Sequence, residues 1–489
     1  METTLFVLFH RTYYNQGLKE GLVLSQSTGP FDNISPIDFR YWNEKMAKYL
    51  SEDAFTRYKL RVELALVTVL YRMGICDQSV VDEVAAACRE VTTEEVYTEE
   101  DGKTRHDMRA LVNCIQRPVS NKTRPFVHLS ATSFDISDTA NACRYRDAIR
   151  LVLLPELLDL ESVLIEIAER EADTLQIGRT HGQHAVPITF GFALSEYVSR
   201  LGGCILELEK RASQLPGKFS GAVGAYNASS LFFEDPFAFE AAVLQELGLT
   251  ALDHSTQIVQ PEPLVRLISE IVTTCGVMAN LADDMRHLQR TEIGEVGEEF
   301  KADQVGSSTM PQKRNPINFE NVKSIWKIVM PRMVTVFMDQ ISEHQRDLTN
   351  SASSRTLGEI IAYAGEIATR LTRTMSKLRV DESNLSANLR RSEGGILAEP
   401  MYIILASLGH PDAHEAVKQM TLASERSGKT LAEVFTDNVD LADDRSRLTH
   451  EQRRILTDPS AYTGLAAKRA REVARTWREQ TEQIKARLT

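Results

Sequence analysis

Several features are scarce in this 489-residue chain, and each scarcity excludes something. Alternation of β-branched and polar residues, the mark of half-buried strands, is nearly absent, which argues against a sheet-based architecture. Cysteine is sparse. The six present (Cys76, Cys88, Cys114, Cys143, Cys204 and Cys275) are scattered, with no CxxC pair and no Cys/His cluster. That pattern fits neither a disulfide framework nor a zinc site; reduced thiols in a cytoplasmic protein are expected. Long apolar runs are missing, so no segment approaches the ~20 residues of a membrane span. The apolar stretch Leu5–Phe9 is too short for a secretory leader and lacks a basic flank. Positive charge is in deficit, with 56 Lys+Arg against 68 Asp+Glu and a formal net charge of −12. Nucleic-acid and membrane-surface binding need a basic face and are not expected. An anionic small molecule in a locally cationic pocket remains open.

What is present is helical patterning. Leu153, Leu157, Leu160, Leu164 and Ile167 form one apolar stripe, with Pro155 marking a kink or a join. Leu264, Leu267, Ile271, Thr274, Met278, Leu281, Met285 and Leu288 sustain the same spacing long enough for a bundle seam. Residues 187–213 and 317–344 are predicted helical, the latter interrupted at Pro331, whereas 106–141 is rich in loop formers. Beyond Asp381 the pattern is helical with charged turns, and Glu399-Pro400-Met401 looks like a helix start. The expected fold is all-α: three helical domains with a central long-helix bundle. The expected divisions are an extension over 1–33, an N-terminal domain over 34–140, the bundle over 141–380 with a loop at 297–316, and a C-terminal domain over 381–489. Apolar stripes wider than one partner can cover point to subunit association.

The loop is the chemical centre. Gly306-Ser307-Ser308-Thr309-Met310-Pro311-Gln312-Lys313-Arg314-Asn315-Pro316 disfavours helix between two helical segments. It offers hydroxyls to activate, Lys313 and Arg314 to hold an anion, and Asn315 to donate hydrogen bonds. A Gly/Ser linker before a helix start is the plain alternative. Two histidines, His181 and His184, lie in the polar turn Gly178–Pro187; imidazole titrates near neutral pH. A metal at His181 and His184 lacks a third ligand at suitable spacing. Thr132-Ser133-Phe134-Asp135 would by itself be a side-chain-stabilised turn.

Together these motifs resemble the fumarase/aspartase superfamily, whose signature GSSxMPxKxNP is matched at every fixed position. The resemblance implies a homotetramer with active sites shared between subunits; no metal or cofactor is expected. It implies Ser307 as base, Lys313 as stabiliser of the carbanion, and His181 as acid. Glu320 would orient that histidine, and Thr180, Thr132 and Ser133 would bind succinyl carboxylates, with His128 in the pocket. Further elements resemble the adenylosuccinate lyase family from about Ser35 to Thr463: Ser35-Pro36 through Arg40-Tyr41, Arg105-His106-Asp107, Ser255-Thr256-Gln257, and Arg346-Asp347-Leu348-Thr349-Asn350-Ser351 with Arg355. By that resemblance Arg40, Tyr41, Arg346, Ser351 and Arg355 hold a nucleotide phosphate, as paired guanidinium donors do. Arg105 and Asp107 contact the nucleotide, His106 lines the pocket, and Gln257 and Asn315 contact the succinyl group. Phe39, Val186 and Pro261-Glu262-Pro263 depart from the family pattern on the nucleobase side. The expected partner is a succinylated nucleotide, adenylosuccinate or SAICAR, from which fumarate is eliminated. Argininosuccinate lyase, a carboxymuconate cycloisomerase-like enzyme and an inactive helical scaffold are the alternatives.

Overall fold

The structure, a computed structural model, describes residues 40–300 and 309–488. Residues 1–33 and the expected base Ser307 lie outside the described residues. The chain divides into two compact units, Met1–Glu44 and Lys45–Thr489. Arg40 and Tyr41 belong to the first; the elements below belong to the second.

Helix α1 (Glu52–Arg72) starts at Ser51, whose hydroxyl accepts from the Ala54 N–H at 3.1 Å. Helices α2 (Asp107–Gln116) and α3 (Ser133–Ala148) occupy much of the stretch that reads as loop-rich. The reason is capping: the His106 ring accepts from the Arg109 N–H at 3.3 Å, and Thr132 is the residue before α3. Polar cap residues look like loop chemistry in a sequence.

The central bundle comprises α4 (Leu154–Arg170), α5 (Phe190–Ser213), α6 (Glu262–Leu288), α7 (Ile317–Met338) and α8 (Leu357–Met375). A π-helical turn at Ile149–Leu153 joins α3 to α4 without a break, and Pro155, which has no N–H to donate, stands two residues past it. It marks a join. Leu157, Leu160, Leu164 and Ile167 are buried on α4, and Leu267, Ile271, Met278, Leu281 and Met285 on α6. By length and composition α6 could cross a membrane, yet α5, α7 and α8 pack against it. Helix α7 runs through the exposed Pro331 instead of breaking there, and ends at Met338. Buried Phe319, Val322, Ile325, Val329 and Val336 on either side of the proline hold it continuous.

Among the described residues, two small antiparallel sheets interrupt the helices. Strand β1 (Leu175–Thr180) pairs with β2 (Gln183–Thr189), and β3 (Val296–Gly297) with β4 (Arg379–Val380). The helix expected from 187 therefore starts only at Phe190, where the Thr189 hydroxyl accepts from the Phe192 N–H at 3.2 Å. Beyond β4 come α9 (Glu382–Arg391), α10 (Ala398–Ser407), which includes the expected Glu399-Pro400-Met401 start, and α11 (Ala413–Ser427). Met401, Leu405, Val417, Met420, Leu431 and Phe435 form a separate apolar core there. The last helix, α12 (Ala466–Leu488), returns to the bundle against α4 and α5. Gly202 is required at that crossing: a Cβ would stand 2.3 Å from the Trp477 ring.

Candidate active site

The expected acid, His181, occupies the tip of the β1–β2 hairpin. Thr180 pairs with Gln183, and the turn between them uses left-handed backbone at His181 (φ 54°) and Gly182 (φ 74°). His181 and Thr180 are both exposed in the single chain. The base of the hairpin is clamped by the fully buried Glu295. Its carboxylate accepts from Arg179 Nη1 at 3.0 Å and Nη2 at 2.5 Å, from Gln176 Nε2 at 2.8 Å, and from Asn388 Nδ2 of α9 at 2.8 Å. A bidentate guanidinium–carboxylate pair with its remaining lone pairs satisfied is the condition under which a buried charge persists. His184 adds a contact 2.5 Å from the Ser392 hydroxyl; burial, then the nearby Arg179 charge, pushes its pKa down. Its partner is a hydroxyl at the C-terminal end of α9.

Lys313, Asn315 and Glu320 line a single cleft with Arg286, Arg290 and Arg314, so the described part of the signature loop faces cationic side chains. Glu320 sits in the first turn of α7. That turn is capped by Glu298, whose carboxylate accepts from the Asn318 and Phe319 N–H groups, each at 2.9 Å, and from Asn318 Nδ2 at 2.7 Å. The Glu298 N–H in turn donates to Gln289 Oε1 at 3.0 Å. Arg314 stacks over Phe300, 3.6 Å from the ring centroid. The two ends of the loop are thus fastened to each other. Burial raises the Glu298 pKa, with donors from α7 opposing and the Glu320 charge reinforcing the rise.

Thr132 and Ser133 begin α3, where backbone N–H groups favour an anion. Asp135 is fully buried: its carboxylate takes the Thr132 N–H at 2.8 Å and pairs with the buried Lys218. Lys218 also donates to the Gly221 carbonyl at 3.2 Å. Burial pushes the Asp135 pKa up, and Lys218 opposes the rise. The loop after Lys218 then packs on Ser255-Thr256-Gln257: Ser220 and Ser255 hydroxyls are 2.6 Å apart, and Gly224 (φ 79°) lies so close that a Cβ would meet the Ser255 carbonyl at 2.0 Å. The Gln257 N–H donates to the Gln345 carbonyl at 3.3 Å, which brings Gln257 beside Arg346. His128, with left-handed backbone (φ 64°), lies 2.6 Å from buried Glu63; burial opposes its charge, but the Glu63 carboxylate prevails and raises its pKa.

Arg346 lies over the Phe134 ring, 3.5 Å from the centroid. Asp347 organises the following turn, accepting from the Thr349 N–H at 2.9 Å, the Thr349 hydroxyl at 2.6 Å and the Glu343 N–H at 3.0 Å. Ser351 is exposed on it, and Arg355 pairs with Glu52 at 2.9 Å. Arg105 is held by Asp101 at 2.7 Å, and Asp107 by Lys59 at 3.3 Å. Burial opposes ionisation of Asp107, but the Lys59 charge wins and its pKa is lowered.

One chain therefore gathers the expected residues into separate groups. Thr132, Ser133, Gln257 and Arg346 are linked through the 255–257 and 345–346 segments; Lys313, Asn315 and Glu320 share a cleft. Among the described lining of that cleft neither His181 nor Arg346 appears. Sequence reasoning missed Glu295, Glu298, Glu63 and Lys218. Only Lys218 carried a signal, a lysine in the glycine-bounded run Gly217-Lys218-Phe219-Ser220-Gly221.

Comparison with known proteins defines the class first. Residues 28–330 match the family model described as Lyase, and residues 342–460 match the model described as Adenylosuccinate lyase C-terminal. Adenylosuccinate lyase of Pyrococcus abyssi is 34% identical over 412 residues, 83% of this chain and 90% of the relative. That of Pyrococcus horikoshii is 33% identical over 460 residues, 93% of this chain and 99% of the relative. A solved structure, 3-carboxy-cis,cis-muconate lactonizing enzyme from Pseudomonas putida, superposes with a TM-score of 0.78 at 26% identity, covering 92% of this chain and 99% of that one. The chain belongs to the adenylosuccinate lyase family of the fumarase/aspartase superfamily.

Proposed function

We propose that this protein eliminates fumarate from adenylosuccinate, giving AMP, and from SAICAR, giving AICAR, in purine nucleotide synthesis in the cytoplasm. The observation that carries the reading is the match of both halves, with the C-terminal model spanning the Arg346, Ser351 and Arg355 segment. Elimination needs a base for a carbon-bound proton, an acid for the departing nitrogen, and donors for the carboxylates. Ser307 removes the succinyl β-proton. Lys313 and Asn315 stabilise the resulting aci-carboxylate, and His181, oriented by Glu320, protonates the leaving amine. Thr132, Ser133, Thr180 and Gln257 hold the succinyl carboxylates, with His128 beside them. Arg40, Tyr41, Arg346, Ser351 and Arg355 grip the phosphate, while Arg105, His106 and Asp107 line the nucleotide.

The active unit is a homotetramer with each site built from more than one chain. The exposure of His181 away from the Lys313 cleft supports this, as does the exposed apolar stripe Met330, Val334, Phe337 and Met338 on α7. Such a stripe belongs against a partner.

Incubation with adenylosuccinate and with argininosuccinate, followed by ultraviolet absorbance, tests the substrate: fumarate release from the first alone is expected. Release from argininosuccinate alone would transfer the reading to the phosphate-free branch. Ser307→Ala is expected to lower kcat by about a thousandfold while substrate still binds; turnover near wild type would remove the base assignment.

A further inference from the structure

We propose that Phe134 is the positioning residue for phosphate recognition, holding the Arg346 guanidinium flat so that its N–H edge faces the anion. The proposal rests on the reading of Arg346 as a phosphate ligand.

Arg346 is unusual among the arginines expected at the site. Arg355 is paired with Glu52 and Arg105 with Asp101, but among the described residues Arg346 makes no ion pair and no side-chain hydrogen bond. It is half-buried, and burial depresses its pKa despite the charges of Asp138, Asp347 and Asp107 around it. Its five guanidinium donors have no protein partner among the described residues and stay open to a ligand. What fixes it is the Phe134 ring, 3.5 Å from Cζ. Stacking uses the face of the guanidinium and leaves its edge free for two parallel bonds to an anion.

Phe134 also stands in the first turn of α3, next to Ser133, and lines one cavity with Ile258 and Arg346. One ring therefore sets the spacing between the carboxylate end of the site and the phosphate end. Discrimination for a phosphorylated substrate follows from that spacing.

The test is steady-state kinetics of the full chain on adenylosuccinate and on its dephosphorylated nucleoside. Phe134→Leu is expected to raise KM for adenylosuccinate by roughly three- to thirtyfold, the span of a cation–π contact, with kcat changing less than about twofold. Phe134→Tyr is expected to restore KM, and neither variant to alter kcat/KM on the nucleoside. Pentafluorophenylalanine at position 134 keeps the shape and inverts the ring charge; it is expected to raise KM as Leu does, and it serves if Phe134→Leu folds poorly. An unchanged KM with both replacements, or an equal loss on the nucleoside, overturns the proposal. Arg346→Ala separates the two failures: if it raises KM while the Phe134 replacements do not, the phosphate reading stands and the positioning role falls. If Arg346→Ala leaves KM unchanged, the phosphate reading itself falls.

Discussion

Glu295 and Glu298 flank the short strand β3, and each fastens one of the segments to which the chemistry is assigned. Glu295 is fully buried and clamps the His181 hairpin through Arg179, Gln176 and Asn388. Glu298 is half-buried and caps α7 at the foot of the signature loop through backbone N–H groups. The first is an ion pair with its lone pairs satisfied. The second has no cationic partner among the described ion pairs, and burial raises its pKa. Removing a partner from a buried pair strands the other charge, whereas removing a cap exposes N–H groups that water can reach. The mount of the His181 hairpin is therefore the stiffer one, and the loop's foot the more easily released.

Glu295→Gln should break the stiff mount. Stranding the Arg179 guanidinium is expected to cost about 3–5 kcal/mol of unfolding free energy, read in denaturant melts, with kcat falling as His181 loses its placement. A loss below about 1 kcal/mol would erase the contrast between the two glutamates. Glu298→Gln should cost only ~1 kcal/mol, the scale of a helix cap. Its pH dependence sharpens the comparison. Because the folded pKa of Glu298 lies above the ordinary value of 4.5, the protonated form is favoured in the fold. The stability this contributes is complete below 4.5 and is lost as pH rises through the folded value. The wild-type advantage over Glu298→Gln should therefore shrink across that window in thermal melts; an advantage that grew with pH would mean the carboxylate is held ionised after all.

The long bundle helices were legible because one rule governs them: apolar residues at steps of three and four, as on α4 and α6, bury one face. Motif chemistry placed His181 in a polar turn ahead of a helix, and the structure sets it there, but on a hairpin. Gln183–Thr189 lacks the clean alternation that marks a strand, and its pairing partner lies across the turn. His106 and Thr132 read as loop residues because a capping side chain and a turn-forming one are the same kinds of residue. Glu295 and Glu298 were invisible for a deeper reason. In Ile293-Gly294-Glu295-Val296-Gly297-Glu298 both look like solvated turn carboxylates, and only the arrival of Arg179 and Asn388, distant in sequence, makes one of them structural. The pairing of Asp135 with Lys218 is long-range in the same way.

The central claim, that acid and base meet only when chains assemble, is tested most directly by mixing two inactive variants, Ser307→Ala and His181→Ala, after reversible dissociation. Sites that take position 181 from one chain and position 307 from another should regain both groups in about a quarter of cases in a random mixture. Adenylosuccinate turnover should recover to that order while each variant alone stays inactive. A mixture as inactive as its components would contradict the account.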